Sequence, residues 1–159
     1  MSNFDLDKYI TCKKDFPKKG IMFRDISPLL SDHDGMMQVI NIFSDKTKKI
    51  NQKIDLIAGI ESRGFLFSTL LASNLGIGSI MIRKPGKLPG EIIEQNYSLE
   101  YGESSLSIQK LKTIENKNII IIDDLIATGG SLSCAESLIT SAKANVVACF
   151  ALIELKELK

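Results

Sequence analysis

A chain of 159 residues with 44% apolar and 25% charged residues can bury a single core without disulfide or metal staples. Twenty Lys and Arg against nineteen Asp and Glu leave a formal charge of +1, which disfavours nucleic acid or a membrane surface as a generic partner. Cys12, Cys134 and Cys149 lie far apart without a CxxC pair, which argues against a disulfide framework or a thiolate zinc site.

No charged segment leads into a short apolar one at the start, and no apolar run approaches the length of a membrane span. The chain therefore reads as soluble and cytoplasmic. Taken in order, Ser31 to Asp34 has the spacing of a capping box, and Met36, Ile40, Phe43 and Ile50 follow on one helical face. The only histidine, His33, falls in the first turn of that helix and reads as a surface residue. Asp55–Ile60 reads as a strand, Gly64–Asn74 as a helix and Ser79–Ile82 as a second strand.

The segment Lys84–Glu103 opens KPGKLPG, has little periodicity, and is long for a connection inside a compact domain, so it reads as a lid loop. Ile119–Ile122, Ser131–Lys143 and Val146–Leu155 then supply strand, helix and strand. Continuous apolarity in the strands suits a parallel sheet covered on both faces. Strand–helix alternation without repeats or linkers predicts an α/β fold in a single domain, residues 1–159, with ligands at the carboxyl ends of the strands.

The most informative string is IIIIDDLIATGGS at Ile119–Ser131. A buried strand is expected to end abruptly at Asp123 and Asp124, two acceptors suited to hydroxyls, a bound cation, or both. Gly129 and Gly130 allow the backbone to approach a ligand, Thr128 and Ser131 add hydroxyls, and the start of the next helix offers free N–H groups to a phosphate. Phosphate donors beside hydroxyl acceptors describe a ribose 5-phosphate. A P-loop nucleotidase would need G-x-x-x-x-G-K-[ST] and a dinucleotide site G-x-G-x-x-G at a helix start; neither occurs.

A second strand-to-helix junction, Glu61–Phe65 (ESRGF), places Arg63 beside Gly64, and an arginine fork suits phosphate oxygens. Two anion sites on neighbouring strand ends suggest a ligand with phosphate groups at both ends. No His/Cys or Ser/His pairing calls for a covalent enzyme intermediate.

With these residues in hand, the long string is similar to the phosphoribosyl pyrophosphate signature of the type I phosphoribosyltransferases. Phe16–Leu30 (FPKKGIMFRDISPLL), IESRGFLF at Ile60–Phe67, IRKPGKLPGE at Ile82–Glu91 and YSLEYG at Tyr97–Gly102 resemble, in order, the adenine-using branch of that family. The resemblance implies a parallel sheet flanked by helices, a small N-terminal hood (residues 1–30) over the base, a mobile lid at 84–103 and a homodimer. It further implies Mg²⁺ and transfer of phosphoribosyl from phosphoribosyl pyrophosphate to adenine, giving AMP and pyrophosphate.

Carried over by motif, Asp123 and Asp124 match the ribose-hydroxyl pair, also possible metal contacts, and Ala127, Thr128, Gly129, Gly130 and Ser131 match the 5′-phosphate loop. Glu61, Ser62, Arg63 and Gly64 match the pyrophosphate loop, where the family often has a non-proline cis peptide; Arg83, Lys84 and Lys87 match basic positions tied to pyrophosphate and lid closure. Main-chain groups of Met22 and Arg24, flanking Phe23, match those that read the adenine edge. Branches that use 6-oxo purines place an Asp where this chain has Ala127, which leaves Glu100, beside Tyr101, as the family's candidate for the purine proton.

Ser131 replaces the usual Thr, Lys19 stands where the family commonly has Pro, and the family typically continues past the strand that precedes Lys159. The alternative readings are the same transfer to another base and a non-catalytic regulator that senses phosphoribosyl pyrophosphate.

Overall fold

The computed structural model describes residues 4–99 and 102–155. The chain divides into two compact units, residues 1–42 and 43–159, with the boundary inside a helix. In the first unit β1 (Thr11–Lys14) and β2 (Met22–Asp25) form an antiparallel ribbon in which Cys12 faces Arg24 and Lys13 faces Phe23. Asp15 ties the intervening turn by accepting the Gly20 N–H at 2.7 Å.

A short helix α1 (Ser27–Leu30), opened by Pro28, precedes the long α2 (His33–Lys48). This corrects the expected capping box. Ser31 closes α1 instead, its hydroxyl donating to the Pro28 carbonyl, and Asp32 caps α2 by accepting the Gly35 N–H at 2.6 Å. Asp serves as well as Ser at a helix start, and an extra turn of helix had already claimed Ser31. Ile50 lies beyond the end of α2, and its place on the buried stripe is taken by Thr47, whose hydroxyl turns back to the Phe43 carbonyl. His33 is exposed, as expected.

The second unit continues with β3 (Leu56–Ile60), α3 (Gly64–Leu75), β4 (Gly78–Ile82), β5 (Ile92–Leu99), β6 (Gly102–Gln109), β7 (Asn118–Ile126), α4 (Gly130–Ser141) and β8 (Asn145–Glu154). Four of these strands form a parallel sheet in the order β4-β3-β7-β8, as the continuous apolar runs predict. Ala58, Ile60, Ile119 and Ile121 point to the face covered by α4, where they pack with Ala135, Leu138 and Ile139. The alternate residues Ile57, Ile120 and Ile122 face the other way, toward α3, and all are buried.

Lys84–Glu103 is not a structureless loop. Only its first part is irregular; β5 and β6 then pair as an antiparallel ribbon, with Tyr97 opposite Ser104. The alternation was diluted in sequence because β5 half-buries only Ile93 and Tyr97 among the side chains described and carries polar residues between them.

Chain order reverses between β3 and β7: β3 leads outward to β4, and β7 leads the other way to β8. Ligands of open α/β sheets bind at such a switch point. Close packing makes this one possible. A Cβ on Gly64 would stand 2.6 Å from the Ile122 carbonyl oxygen and 3.3 Å from Asp123 Cα, so only glycine lets α3 start hard against the end of β7. Gly64→Ala is therefore expected to lower unfolding free energy by ~1–3 kcal/mol, the range for overpacking, read as a reduced urea midpoint with an unchanged slope.

Candidate active site at the ends of β3 and β7

β7 runs past the four isoleucines, which corrects the expectation of an abrupt end. Pairing with β3 stops at Ile122, opposite Gly59, while pairing with β8 continues through Asp123, Leu125 and Ile126. The two carboxylates thus stay in a strand, held on one side and opened on the other. Residues alternate across a strand, so adjacent aspartates are sent to opposite faces.

Asp124 points to the α3 face and is buried. Its Oδ2 lies 2.8 Å from Arg63 Nη2, the residue immediately before α3. The contact is an ion pair without hydrogen-bond alignment, since Oδ2 accepts no aligned hydrogen bond. Asp123 points to the α4 face, where it lines a cavity of about 160 Å³ together with Ala127, Thr128, Gly129, Gly130 and Ser131. All five residues of the expected phosphate loop therefore meet one of the two expected ribose acceptors.

The loop's geometry suits an anion. Gly129 holds φ 85°, in the left-handed region, and forms the N-cap of α4 without a side-chain cap. The first N–H groups of a helix have no intrahelical partners, and here no capping side chain competes for them.

Burial and the neighbouring Asp124 charge raise the Asp123 pKa to about 7, against the opposing effect of the Asp124 N–H bonded to its Oδ1 at 2.9 Å. The Arg63 guanidinium, paired with Asp124 at 2.8 Å, also lowers the Asp123 pKa but does not outweigh burial and the Asp124 charge.

The expected pyrophosphate loop is built around Glu61. The Glu61–Ser62 peptide is cis, at the position where the family resemblance places such a bond. Glu61 accepts hydrogen bonds from Arg83 Nε at 3.2 Å and from the Lys84 N–H at 2.9 Å. Burial works against ionisation there, but the Lys84 N–H and the Arg83 guanidinium outweigh it and hold Glu61 below the usual carboxylate range. Arg83 also donates to the Lys87 carbonyl at 3.1 Å and lies over the Phe65 ring. Glu61 thus orients Arg83 and the backbone that carries Lys84 and Lys87, while the side chains of Ser62, Lys84 and Lys87 are exposed.

In the other unit, β2 carries the expected base-reading segment. Met22 is exposed, Phe23 packs edge-on to Phe16 at 5.1 Å between centroids, and Arg24 donates to Cys12 Sγ at 2.7 Å. Glu100 and Tyr101 lie outside the described residues. Tyr97 was not singled out from the sequence although it opens the motif YSLEYG; its hydroxyl stands 3.4 Å from Ser131 Oγ, inside the expected phosphate loop.

The raised Asp123 pKa has a signed consequence. A carboxyl that titrates near 7 when folded and near 4 when unfolded keeps its proton longer in the native state, so its contribution is full below about pH 4 and is lost as pH rises through about 7. Chemical denaturation of the ligand-free protein at several pH values should show Asp123→Asn gaining stability relative to the parent across that window. Parallel pH profiles for the two proteins would contradict the assignment.

Residues 26–158 match the phosphoribosyl transferase domain. The chain is 48% identical over 146 residues to adenine phosphoribosyltransferase of Mus musculus, covering 91% of this chain and 81% of the relative. It is 49% identical over 144 residues to adenine phosphoribosyltransferase 5 of Arabidopsis thaliana, covering 91% and 74%. The crystal structure of adenine phosphoribosyltransferase from Saccharomyces cerevisiae, complexed with adenine and an imino-altritol bisphosphate, superposes with a TM-score of 0.94 at 37% identity, covering 99% of this chain and 92% of that one. Sequence, fold and the clustering of Ala127–Ser131 with Asp123 at the switch point agree: the chain belongs to the phosphoribosyltransferase family, in its adenine phosphoribosyltransferase branch.

Proposed function

We propose that this chain catalyses Mg²⁺-dependent transfer of the phosphoribosyl group to adenine, forming AMP and pyrophosphate, as a homodimeric purine-salvage enzyme of the cytoplasm. The observation that carries the reading is the cavity at the start of α4, where an uncapped helix end and the Thr128 and Ser131 loop face Asp123. That is a phosphate site beside a hydroxyl acceptor. The ligands of the yeast relative, a base and a sugar-like bisphosphate, have the chemistry this reading assigns.

In the proposed mechanism, backbone N–H groups and hydroxyls of Thr128 to Ser131 hold the 5′-phosphate, and Asp123 accepts from a ribose hydroxyl. Pyrophosphate competes with Asp124 for the Arg63 fork, which frees Asp124 for the ribose as Arg63 takes up charge on the leaving group. Glu61, a carboxylate that would repel pyrophosphate, keeps Arg83 aimed at it and brings Lys84 and Lys87 along. Main-chain groups of Met22 and Arg24 read the adenine edge, Phe23 packs beside the base, and Glu100 with Tyr101 handles the purine proton as the 84–103 segment closes out water. Alignment of base and sugar supplies the proximity effect, and charge uptake by prearranged donors lowers the barrier further.

Among the described residues no three His, Cys, Asp or Glu groups gather into a metal cage. That fits Mg²⁺, which is held by one or two carboxylates plus substrate oxygens and keeps several waters. Asp123, or Asp124 once pyrophosphate draws Arg63 away, would hold it with substrate oxygens and waters, and bound Mg²⁺ would neutralise charge on the departing pyrophosphate. No helix among the described residues is long and apolar enough to cross a membrane. The homodimer reading draws on α3, where Leu66 and Leu70, one turn apart, are 44% and 42% exposed.

A product assay tests the reaction: purified protein, phosphoribosyl pyrophosphate, Mg²⁺ and each base separately, with nucleotides resolved by chromatography. AMP from adenine, none from hypoxanthine, and loss of product with EDTA are expected; Arg63→Ala should lower kcat by about 100-fold or more. Nucleotide from hypoxanthine alone would reassign the acceptor, and ligand binding without nucleotide from any base would favour a sensor. Leu70→Glu should shift the protein from dimer to monomer in sedimentation velocity, whereas a monomeric parent would remove the dimer.

A further inference from the structure

Tyr97 has no part in the site assembled above, yet it is the residue of the β5–β6 ribbon that reaches it. Its ring packs against the core cluster beneath α4, alongside Leu132 and Ile93, so the phenol is anchored rather than free to swing. Its hydroxyl stands 3.4 Å from Ser131 Oγ, which donates to it across an interval longer than a well-made hydroxyl bond. A second tie runs in parallel: the buried Cys134 thiol, further along α4, donates to the Gln95 carbonyl of β5 at 3.3 Å. The strand that leads toward Glu100 is thereby attached to α4 at two points, one of them in the turn that lines the proposed phosphate cavity.

We propose that Tyr97 is a positioning residue for the phosphate end of the substrate, acting through the Ser131 hydroxyl. The inference rests on the phosphate reading of the Ala127–Ser131 loop. A hydroxyl has one proton and two lone pairs. With the loop empty, Ser131 spends its proton on Tyr97. A phosphate, an acceptor with no proton to share there, draws that proton to itself, and the direction of the Tyr97–Ser131 bond reverses: the phenol then donates to the serine oxygen. The resulting chain, phenol to serine to phosphate, runs in one sense, and each bond polarises the next. Tyr97 thus holds Ser131 in the rotamer that faces the phosphate, and occupancy of the loop is felt by β5. A phenylalanine at 97 would keep the packing while leaving the serine oxygen without a donor.

Calorimetric titration of ribose 5-phosphate into the parent, Tyr97→Phe, Ser131→Ala and the double variant tests this directly. Tyr97→Phe should weaken binding by about five- to tenfold, the value of one hydrogen bond between neutral groups, with an unchanged melting temperature in the absence of ligand. The double variant should bind no more weakly than Ser131→Ala alone, because the phenol acts only through that serine. In turnover assays the same substitution should raise KM for phosphoribosyl pyrophosphate by a similar factor with kcat within about twofold, a split that a general loss of folded protein would not produce. Equal affinity of Tyr97→Phe and parent, or additive losses in the double variant, would overturn the role of Tyr97 and leave the phosphate loop intact. A parent protein that does not bind ribose 5-phosphate would overturn the phosphate reading itself, and this inference with it.

Discussion

One buried ion pair sets the terms for the rest of the site. Asp124 has a side chain only 7% exposed, and a carboxylate so placed must be paired or neutral. Arg63 supplies the partner from the first position before α3, so the helix start and the end of β7 are fixed to each other by charge as well as by the contact that Gly64 permits. The pair also determines what Asp123 experiences. With Arg63 paired to Asp124, its charge lowers the Asp123 pKa too little to offset burial and the Asp124 charge, and Asp123 holds its proton to near neutrality. A site with two acids and one near cation is poised to accept more positive charge or hydroxyl donors, which describes the substrate side of the proposed reaction.

The two strand ends divide the chemistry between them. β7 and α4 present N–H groups, two hydroxyls and one carboxylate, an arrangement for a phosphate and a sugar. β3 and α3 present Arg63, while Glu61 gathers Arg83 and the Lys84 backbone around it, an arrangement for a second, more highly charged anion. The carboxylate Glu61 looks out of place in the proposed pyrophosphate loop until its bonds are followed. It is the anchor that stops Arg83 from wandering, and its depressed pKa keeps it charged for that purpose.

The β5–β6 ribbon connects these ends to the segment bearing Glu100 and Tyr101. Gln95 and Tyr97 attach it to α4 through two hydrogen bonds. Extended pairing from Ile92–Gln109 to Leu99–Gly102 keeps the ribbon a single element along its length.

Much of this was legible in the residues. The parallel sheet followed from apolar runs such as DLIAGI and IIIIDD, because strands covered on both faces need no polar alternation. The clustering of Asp123 with Ala127 to Ser131 followed from spacing along one short stretch of chain. Three things required the folded chain. Ser31 lost the cap of α2 to Asp32 because an unforeseen turn of helix lay before it. The β5–β6 ribbon was hidden because its few inward side chains are spread among polar ones, and its pairing partner lies outside any local window. The division of the two aspartates between opposite faces, one to Arg63 and one to the cavity lined by Ala127 to Ser131, depends on β7 continuing against β8 after β3 has left. Sequence determines which groups a strand carries, since composition and spacing are local; which face each group meets, and which charge waits there, is decided only when distant strands and helices pack.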